Sequence, residues 1–268
     1  MLTFEIIRWI DVLRVLVSLS FLSASSWYDY KSREVSNRVW MLFAPIGFIL
    51  TLLQCYLEYS WSKTSLIYLW IISFIVTTGI SFALFYAGFF GGADAKALIC
   101  LSIAIPFYPR FSPMRFRNVI PLFPLAVLVN SVLVSSMLVL AILCYNTVRY
   151  VQLKGAMFKG FEDEPLWRKI LVFMTGIKVD LEKIKKGSHY MPLEYLTKEK
   201  NGEITRHLKV SPRIEEEDSR ELEELEKISR QIWATPGLPF LIFVTIGFII
   251  ALFFGDLITW LVNLMLAF

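Results

Sequence analysis

Apolar and polar positions along this 268-residue chain fall into long separate blocks rather than alternating on a short period. A segment that crosses the hydrocarbon core of a bilayer needs about 20 mostly apolar residues. Walking the chain with that length in mind gives six candidate spans. They run from about Ile10 to Tyr28, Val39 to Leu57, Ser65 to Phe89, Ala95 to Ile105, Pro121 to Tyr145 and Leu238 to Phe254. The third is the cleanest, and the fourth is short and opens with charged residues. The tail from Gly255 to Phe268 is apolar with Asp256 embedded. It reads equally as a continuation of the last span or as a helix lying in the interface. The predicted fold is an α-helical polytopic membrane protein of about six transmembrane helices.

One long polar stretch interrupts this pattern after the fifth span. Trp167 to Val179 (WRKILVFMTGIKV) is apolar-rich but too polar to span. Asn201-Gly202 then offers a tight-turn dipeptide tolerant of positive φ, flanked by period-two alternation. Tyr195, Ile204, Leu208 and Val210 are expected on one face and charges on the other, in a small antiparallel sheet. Ser211-Pro212 ends it, and a charged helix is expected over Glu215 to Arg230, with Leu222, Leu225 and Ile228 as a thin apolar stripe. Residues 1–146 therefore read as a membrane domain with the first five spans, 147–235 as a small soluble α+β insertion, and 236–268 as the sixth span with its tail.

Composition sharpens this picture. The chain is 56% apolar and only 19% charged, where a soluble domain carries nearer a quarter charged residues. Net charge is a modest +4, and the aromatics sit inside apolar runs rather than among Lys and Arg, so no nucleic-acid surface is expected. Cys55, Cys100 and Cys144 lie within apolar runs and form no CxxC pair, so they read as small buried residues and no metal or cofactor is expected. His189 and His207 fall in the polar stretch, with a surface or sheet-face role. Glu5, Arg8, Asp11 and Arg14 interrupt the N-terminal run, which does not read as a cleavable signal. Lys31, Arg33 and Arg38 place the first link in the cytoplasm, and with it the third link and the insertion. Arg110, Arg115 and Arg117 then fall outside, against the rule.

A charge at the edge of a span is expensive and needs a reason. Asp11 has Arg8 and Arg14 one helical turn to either side and reads as a surface ion pair. Glu34 and Glu58 fall in links, open to hydration, and Asp256 reads as a helix cap. Asp29 and Asp94 differ, because each directly follows an apolar run, and both reach the same membrane face if spans one and three run in the same sense. Two carboxylates held together at a low-dielectric boundary cannot both ionise easily, so one serves as acid and the other as base. From spacing alone, two independent helix caps are the default reading. Around the second aspartate, Gly91-Gly92-Ala93-Asp94-Ala95-Lys96 sets a flexible turn before a carboxylate and opens a helix, whose N-terminus favours a negative charge.

That stretch resembles the GxGD signature of membrane aspartyl proteases, with Gly91 as the first glycine and Ala93 in place of the second, as in archaeal variants. The first aspartate, followed by Tyr30-Lys-Ser-Arg-Glu-Val-Ser-Asn37, is similar to the segment after the first span in type IV prepilin and preflagellin peptidases. Phe123-Pro124 with Asn130, and Trp233-Ala-Thr-Pro236 before Pro239, look like further archaeal preflagellin peptidase stretches. The resemblance implies a catalytic pair of Asp29 and Asp94 needing no metal or cofactor. Gly91, Gly92, Ala93, Lys96, Glu34 and Asn37 are the motif and substrate-binding candidates; Glu34 is placed to attract a basic leader and Lys96 to tune Asp94 or a backbone carbonyl. It implies cleavage of a short basic leader from preflagellin or prepilin-like subunits at the cytoplasmic face of the cell membrane. The zinc-binding cysteines and methyltransferase part of bacterial prepilin peptidases are absent, so no N-methylation is expected. Partners are the substrate and membrane lipids. Two other classes fit the same acidic residues: a proton- or ion-coupled small transporter, against which no internal repeat is found, and a non-catalytic pilin-assembly scaffold.

Overall fold

The structure, a computed structural model, describes residues 2–59, 66–112, 120–153, 156–185, 190–198, 204–209, 224–226, 228–237 and 239–266. It is mostly helical and divides into two compact units, residues 1–135 with 239–268, and residues 136–238.

The first unit is built from α1 (Leu2–Ser32), α2 (Asn37–Tyr59), α3 (Leu66–Tyr86), α4 (Gly92–Ala104), the first part of α5 (Phe123–Gln152), α8 (Phe240–Phe254) and α9 (Leu257–Leu266). Among the described residues three helices are long and apolar enough to cross a membrane, α2, α3 and α5, and α8 with α9 makes a fourth if the bent pair counts as one span. Many of their large apolar side chains point outward, as a lipid-facing surface requires, among them Ile49, Ile75 and Phe253. Inside, Leu22, Phe43, Leu98, Leu101, Phe123, Val127 and Phe248 form one core. Close helix contact is set by small residues: a Cβ on Gly47 would stand 2.5 Å from the Cβ of Ala104, and one on Gly247 would collide with Ser131.

Two turns hold the chain ends of these helices. Arg33, at φ 59, takes the left-handed conformation that terminates α1, and its N–H donates to the Asp29 carbonyl at 3.1 Å. Ser36 then caps α2, accepting from the N–H of Arg38 at 3.4 Å. At the other extreme, α8 and α9 meet at a 46° bend. Asn130 bridges the break, donating to the Gly255 carbonyl and accepting from the Leu257 N–H, each at 2.9 Å. Asp256 caps α9 as expected, through the Thr259 N–H at 2.8 Å, and also accepts from the Ile120 N–H. The tail is thus a helix set at an angle to α8.

Several charges sit differently from the expectation. Asp11 and Arg14 are an ion pair (3.3 Å), but 1% and 2% exposed, not at a surface. Glu58 is not in a hydrated link: it is buried on α2, paired with Arg110 at 2.7 Å and bonded by Gln54. Arg110 is therefore neutralised locally. Cys55 and Cys100 are buried as expected, whereas Cys144 is exposed on α5.

The second unit contains the last turns of α5, α6 (Leu166–Thr175), β1 (Ile177–Asp180), α7 (Leu181–Lys185), β2 (Tyr190–Pro192), β3 (Glu194–Lys198), β4 (Ile204–Leu208) and β5 (Gln231–Pro236). Strands β3 and β4 pair antiparallel from Glu194 with Leu208 to Lys198 with Ile204; the Asn201-Gly202 turn between them lies outside the described residues. The register corrects the face assignment. Tyr195 pairs with His207, opposite in face to Ile204 and Leu208, because side chains alternate strictly along each strand. The Leu208 face also holds the Glu194–Arg206 ion pair, so charge is not confined to the far side. The second sheet, in order β1-β5-β2, has no counterpart in the sequence reading. Its central strand carries the Trp-Ala-Thr-Pro stretch, with Trp233 fully buried and stacked on Phe158 at 5.0 Å. Most of the charged helix expected over Glu215 to Arg230, Leu222 included, lies outside the described residues, as do Val210, Ser211-Pro212 and His189. Of that stripe Leu225 is buried and Ile228 exposed, and residues 231–236 are strand.

Candidate active site

Four helix ends supply the candidate residues. Asp29 lies in the last turn of α1, and Asp94 is the third residue of α4. The fold brings them together closely enough for the charge of Asp29 to act on Asp94. The two-cap alternative is also present, in the same residues. The Asp94 carboxylate accepts the N–H of Gly91, the N-cap of α4, at 2.9 Å, and the N–H of Leu241 in the first turn of α8 acts on the Asp29 carboxylate. Each aspartate therefore answers one of the unpaired amide donors that every helix start presents. Capping fixes where the carboxylates sit, and leaves each with further lone pairs for water or substrate.

The glycines separate on the same geometry. A Cβ on Gly91 would stand 3.1 Å from Oδ2 of Asp94, closer than ordinary van der Waals contact, so glycine there leaves room for the carboxylate. A Cβ on Gly92 would meet only the Phe85 ring, at 3.8 Å. Ala93 is partly buried and packs against the helical core. The backbone requirement for glycine in this turn falls instead on Gly88, at φ 78.

Lys96 and Asn37 meet: Lys96 Nζ donates to Asn37 Oδ1 at 2.7 Å, tying α4 to the start of α2. Lys96 thus reaches a side-chain carbonyl on a neighbouring helix rather than Asp94. Glu34 is exposed in the α1–α2 turn and lines an open depression of about 610 Å³ with Tyr28, Ser32, Ser36 and Arg38. Among the described residues no three metal-ligating side chains converge.

Sequence reasoning missed the α8 contribution. Ser26, one turn before Asp29, donates to the Leu241 carbonyl at 2.8 Å and lies 2.7 Å from the Thr245 hydroxyl. Leu241 is therefore held at its carbonyl by Ser26 while its N–H meets Asp29. Polar Ser25-Ser26 inside an apolar run was the available signal; a backbone donor on a distant helix leaves none.

A helical membrane unit with two aspartates on helix ends narrows the comparison with known proteins. The type IV leader peptidase family model matches residues 16–150, a stretch that includes both aspartates and the Gly91–Lys96 turn. This chain belongs to the type IV leader peptidase family. A second model, the archaeal peptidase A24 C-terminus of type II, matches residues 168–257 of this leader peptidase. Among its relatives are the preflagellin peptidase of Methanococcus voltae, 30% identical over 245 residues, which cover 90% of this chain and 94% of the relative. The preflagellin peptidase of Methanocaldococcus jannaschii is 26% identical over 243 residues, covering 87% and 89%. The membrane character of the leader peptidase and its protease class agree with these matches.

Proposed function

We propose that this peptidase is an aspartic-type endopeptidase that removes the short basic leader from preflagellin or prepilin-like subunits, with Asp29 and Asp94 as its catalytic pair. The observation that supports the reading is that the charge of Asp29, at the end of α1, reaches Asp94, whose carboxylate is held at the start of α4 by the Gly91 amide. One carboxylate takes a proton from water as the water attacks the scissile carbonyl carbon. The other gives a proton to the carbonyl oxygen, forming a tetrahedral diol. Collapse of the diol returns a proton to the departing amine, and the pair ends in its starting protonation state. The Gly91 amide keeps the Asp94 carboxylate in place while this happens, so little reorganisation is needed there at the moment of reaction.

The same proposal places six spans: α1, α2, α3, α4, α5, and α8 with the insertion of residues 147–235 before it. It puts the catalytic end at the cytoplasmic face, where Lys31, Arg33, Arg38 and Lys96 gather. Residues 1–146 then form the catalytic membrane domain and 236–268 the last span and tail. Glu34, in its exposed turn, meets the basic leader. No N-methylation follows cleavage.

Cleavage of a membrane-embedded preflagellin by wild type, Asp29→Asn and Asp94→Asn tests this. Loss of cleavage in both variants, with wild-type melting behaviour, is expected, and mass spectrometry of the wild-type product shows an unmethylated N-terminus. Full activity in either variant removes that aspartate from catalysis.

A further inference from the structure

The second unit carries an apolar edge that its own core does not use. Helix α6 turns Val172 into that core, 1% exposed, while Leu166, Trp167, Ile170 and Leu171 stay on the outside at 75%, 54%, 52% and 37% exposure. These four positions recur at i, i+1, i+4 and i+5, which places them on one side of the helix. A soluble domain seldom leaves such a contiguous patch uncovered. Arg168 and Lys169 flank it, Arg168 also stacking over the Trp167 ring at 5.3 Å.

What covers the patch follows from where α6 is fastened. Asn146, fully buried on α5, donates to the carbonyls of Phe173 and Gly176 at 2.7 and 2.6 Å, and so pins the C-terminal end of α6. Tyr150 adds an edge-on contact with Phe173, ring centroids 6.1 Å apart. Helix α5 is one of the helices long and apolar enough to cross a membrane, and its outward side remains apolar through Leu140, Tyr145 and Val148. Asn146 lies six residues before the helix end at Gln152, about 9 Å along the axis. At 30 residues α5 is about 45 Å long, more than the roughly 30 Å of hydrocarbon, and the end of α6 is held in its last turns.

We infer that α6 is an interfacial helix whose Leu166-Trp167-Ile170-Leu171 edge lies in the bilayer surface, with Arg168 and Lys169 at the headgroups. The occupant is lipid, because the patch pairs an apolar edge with flanking cations on a helix fastened to a helix of membrane-crossing length. Trp is also a residue that favours this depth. The consequence is a second membrane attachment for residues 156–185, independent of which residues catalyse cleavage.

The test uses the full chain, with its three cysteines replaced by alanine, reconstituted in phosphatidylcholine–phosphatidylglycerol vesicles. A bimane label is attached in turn at Leu166→Cys, Ile170→Cys, Leu140→Cys as the span reference, and Thr197→Cys on β3. Headgroup-proximal doxyl lipid is expected to quench the labels at 166 and 170 as it does the label at 140, and to leave the label at 197 bright. Iodide in the buffer is expected to give the reverse order. Labels at 166 and 170 that doxyl lipid quenches no more than the label at 197 overturn the inference, whether the edge proves open to water or covered by protein.

Discussion

Gly91→Ala is the most discriminating single change in the candidate site. The new Cβ would stand 3.1 Å from Oδ2 of Asp94, about 0.3 Å inside the 3.4 Å at which ordinary contact begins. The backbone of Gly91, at φ −74 and ψ 160, accepts alanine without strain, so the carboxylate is the part that must yield. A displacement of about 1 Å at a reacting group costs about a hundredfold in rate, so a third of that is worth about fivefold. Stretching the 2.9 Å bond from the Gly91 N–H weakens an interaction of about 1 kcal/mol and brings the expected loss to about tenfold in kcat. Gly92→Ala is the matched control: its Cβ meets only Phe85 at 3.8 Å, and alanine favours the helix. The assay is steady-state cleavage of reconstituted preflagellin, with thermal unfolding of each variant. Gly91→Ala cleaving at the wild-type rate, or Gly92→Ala losing as much, would refute the account of why glycine stands before this aspartate.

Three further outcomes follow from other contacts. Lys96→Met and Asn37→Ala each break the 2.7 Å bond between α2 and α4, and because it is solvent-exposed the coupling energy in a double-mutant cycle on stability is expected at only about 0.5 kcal/mol. Asp11→Ala strands the fully buried Arg14 and is expected to cost about 3–5 kcal/mol, read as a large drop in melting temperature, whereas changing Asp11 and Arg14 together to apolar residues costs less. In the second unit burial pushes the Glu164 carboxyl up, but His207, the Leu208 N–H and Arg168 outweigh it and hold the carboxyl below its usual 4.5. A lowered folded-state pKa gives stability that is present above pH 4.5 and lost as the pH falls through the folded value. The melting-temperature gap between wild type and Glu164→Gln should therefore be full at pH 6 and narrow below about 4.5; a gap independent of pH sinks it.

How much of this was legible in the sequence depends on the range of the interaction. Apolar block length located α2, α3, α4 and α8 to within a few residues, because apolar composition is a local signal, whereas α1 and α5 run several residues past the blocks read for them. The β3–β4 pairing was legible for a similar reason, as alternation and turn chemistry lie within a dozen residues. Its face assignment failed because Glu194 and Arg206 neutralise each other on the buried side, a partnership that period-two counting treats as two solvated charges. The β1-β5-β2 sheet joins strands from either end of the insertion, and nothing local announces it. At the site, Asp29 and Asp94 were visible as misplaced charges after apolar runs. The meeting of Lys96 with Asn37 and of Asp29 with the Leu241 amide was not, since it depends on how four helices pack.

The misread charges at the far ends of these helices have one physical cause. With 13 residues at 1.5 Å each, α4 is about 20 Å long, short of the roughly 30 Å hydrocarbon thickness. A helix that starts at Gly92 and ends so soon leaves the carbonyls of its last turn to find partners inside the core, where Ala104 is buried. Arg14 Nε donates to the Ala104 carbonyl at 2.7 Å, Thr51 donates to the same oxygen at 2.9 Å, and Ser73 donates to the Pro106 carbonyl at 3.2 Å. Arg14 then needs Asp11, whose second oxygen accepts the Arg110 N–H at 2.9 Å, and Arg110 in turn needs Glu58. A charge chain that looked like surface decoration along α1 is thus what closes the broken end of the helix bearing Asp94. Arg14→Met removes that donor from the Ala104 carbonyl as well as the charge, so it should loosen α4 itself. Amide exchange at Leu101 and Ile105 should rise while Gly47–Thr51 of α2 stays protected. Uniform loosening of both helices would show that the chain of charges supports the unit as a whole rather than this helix end.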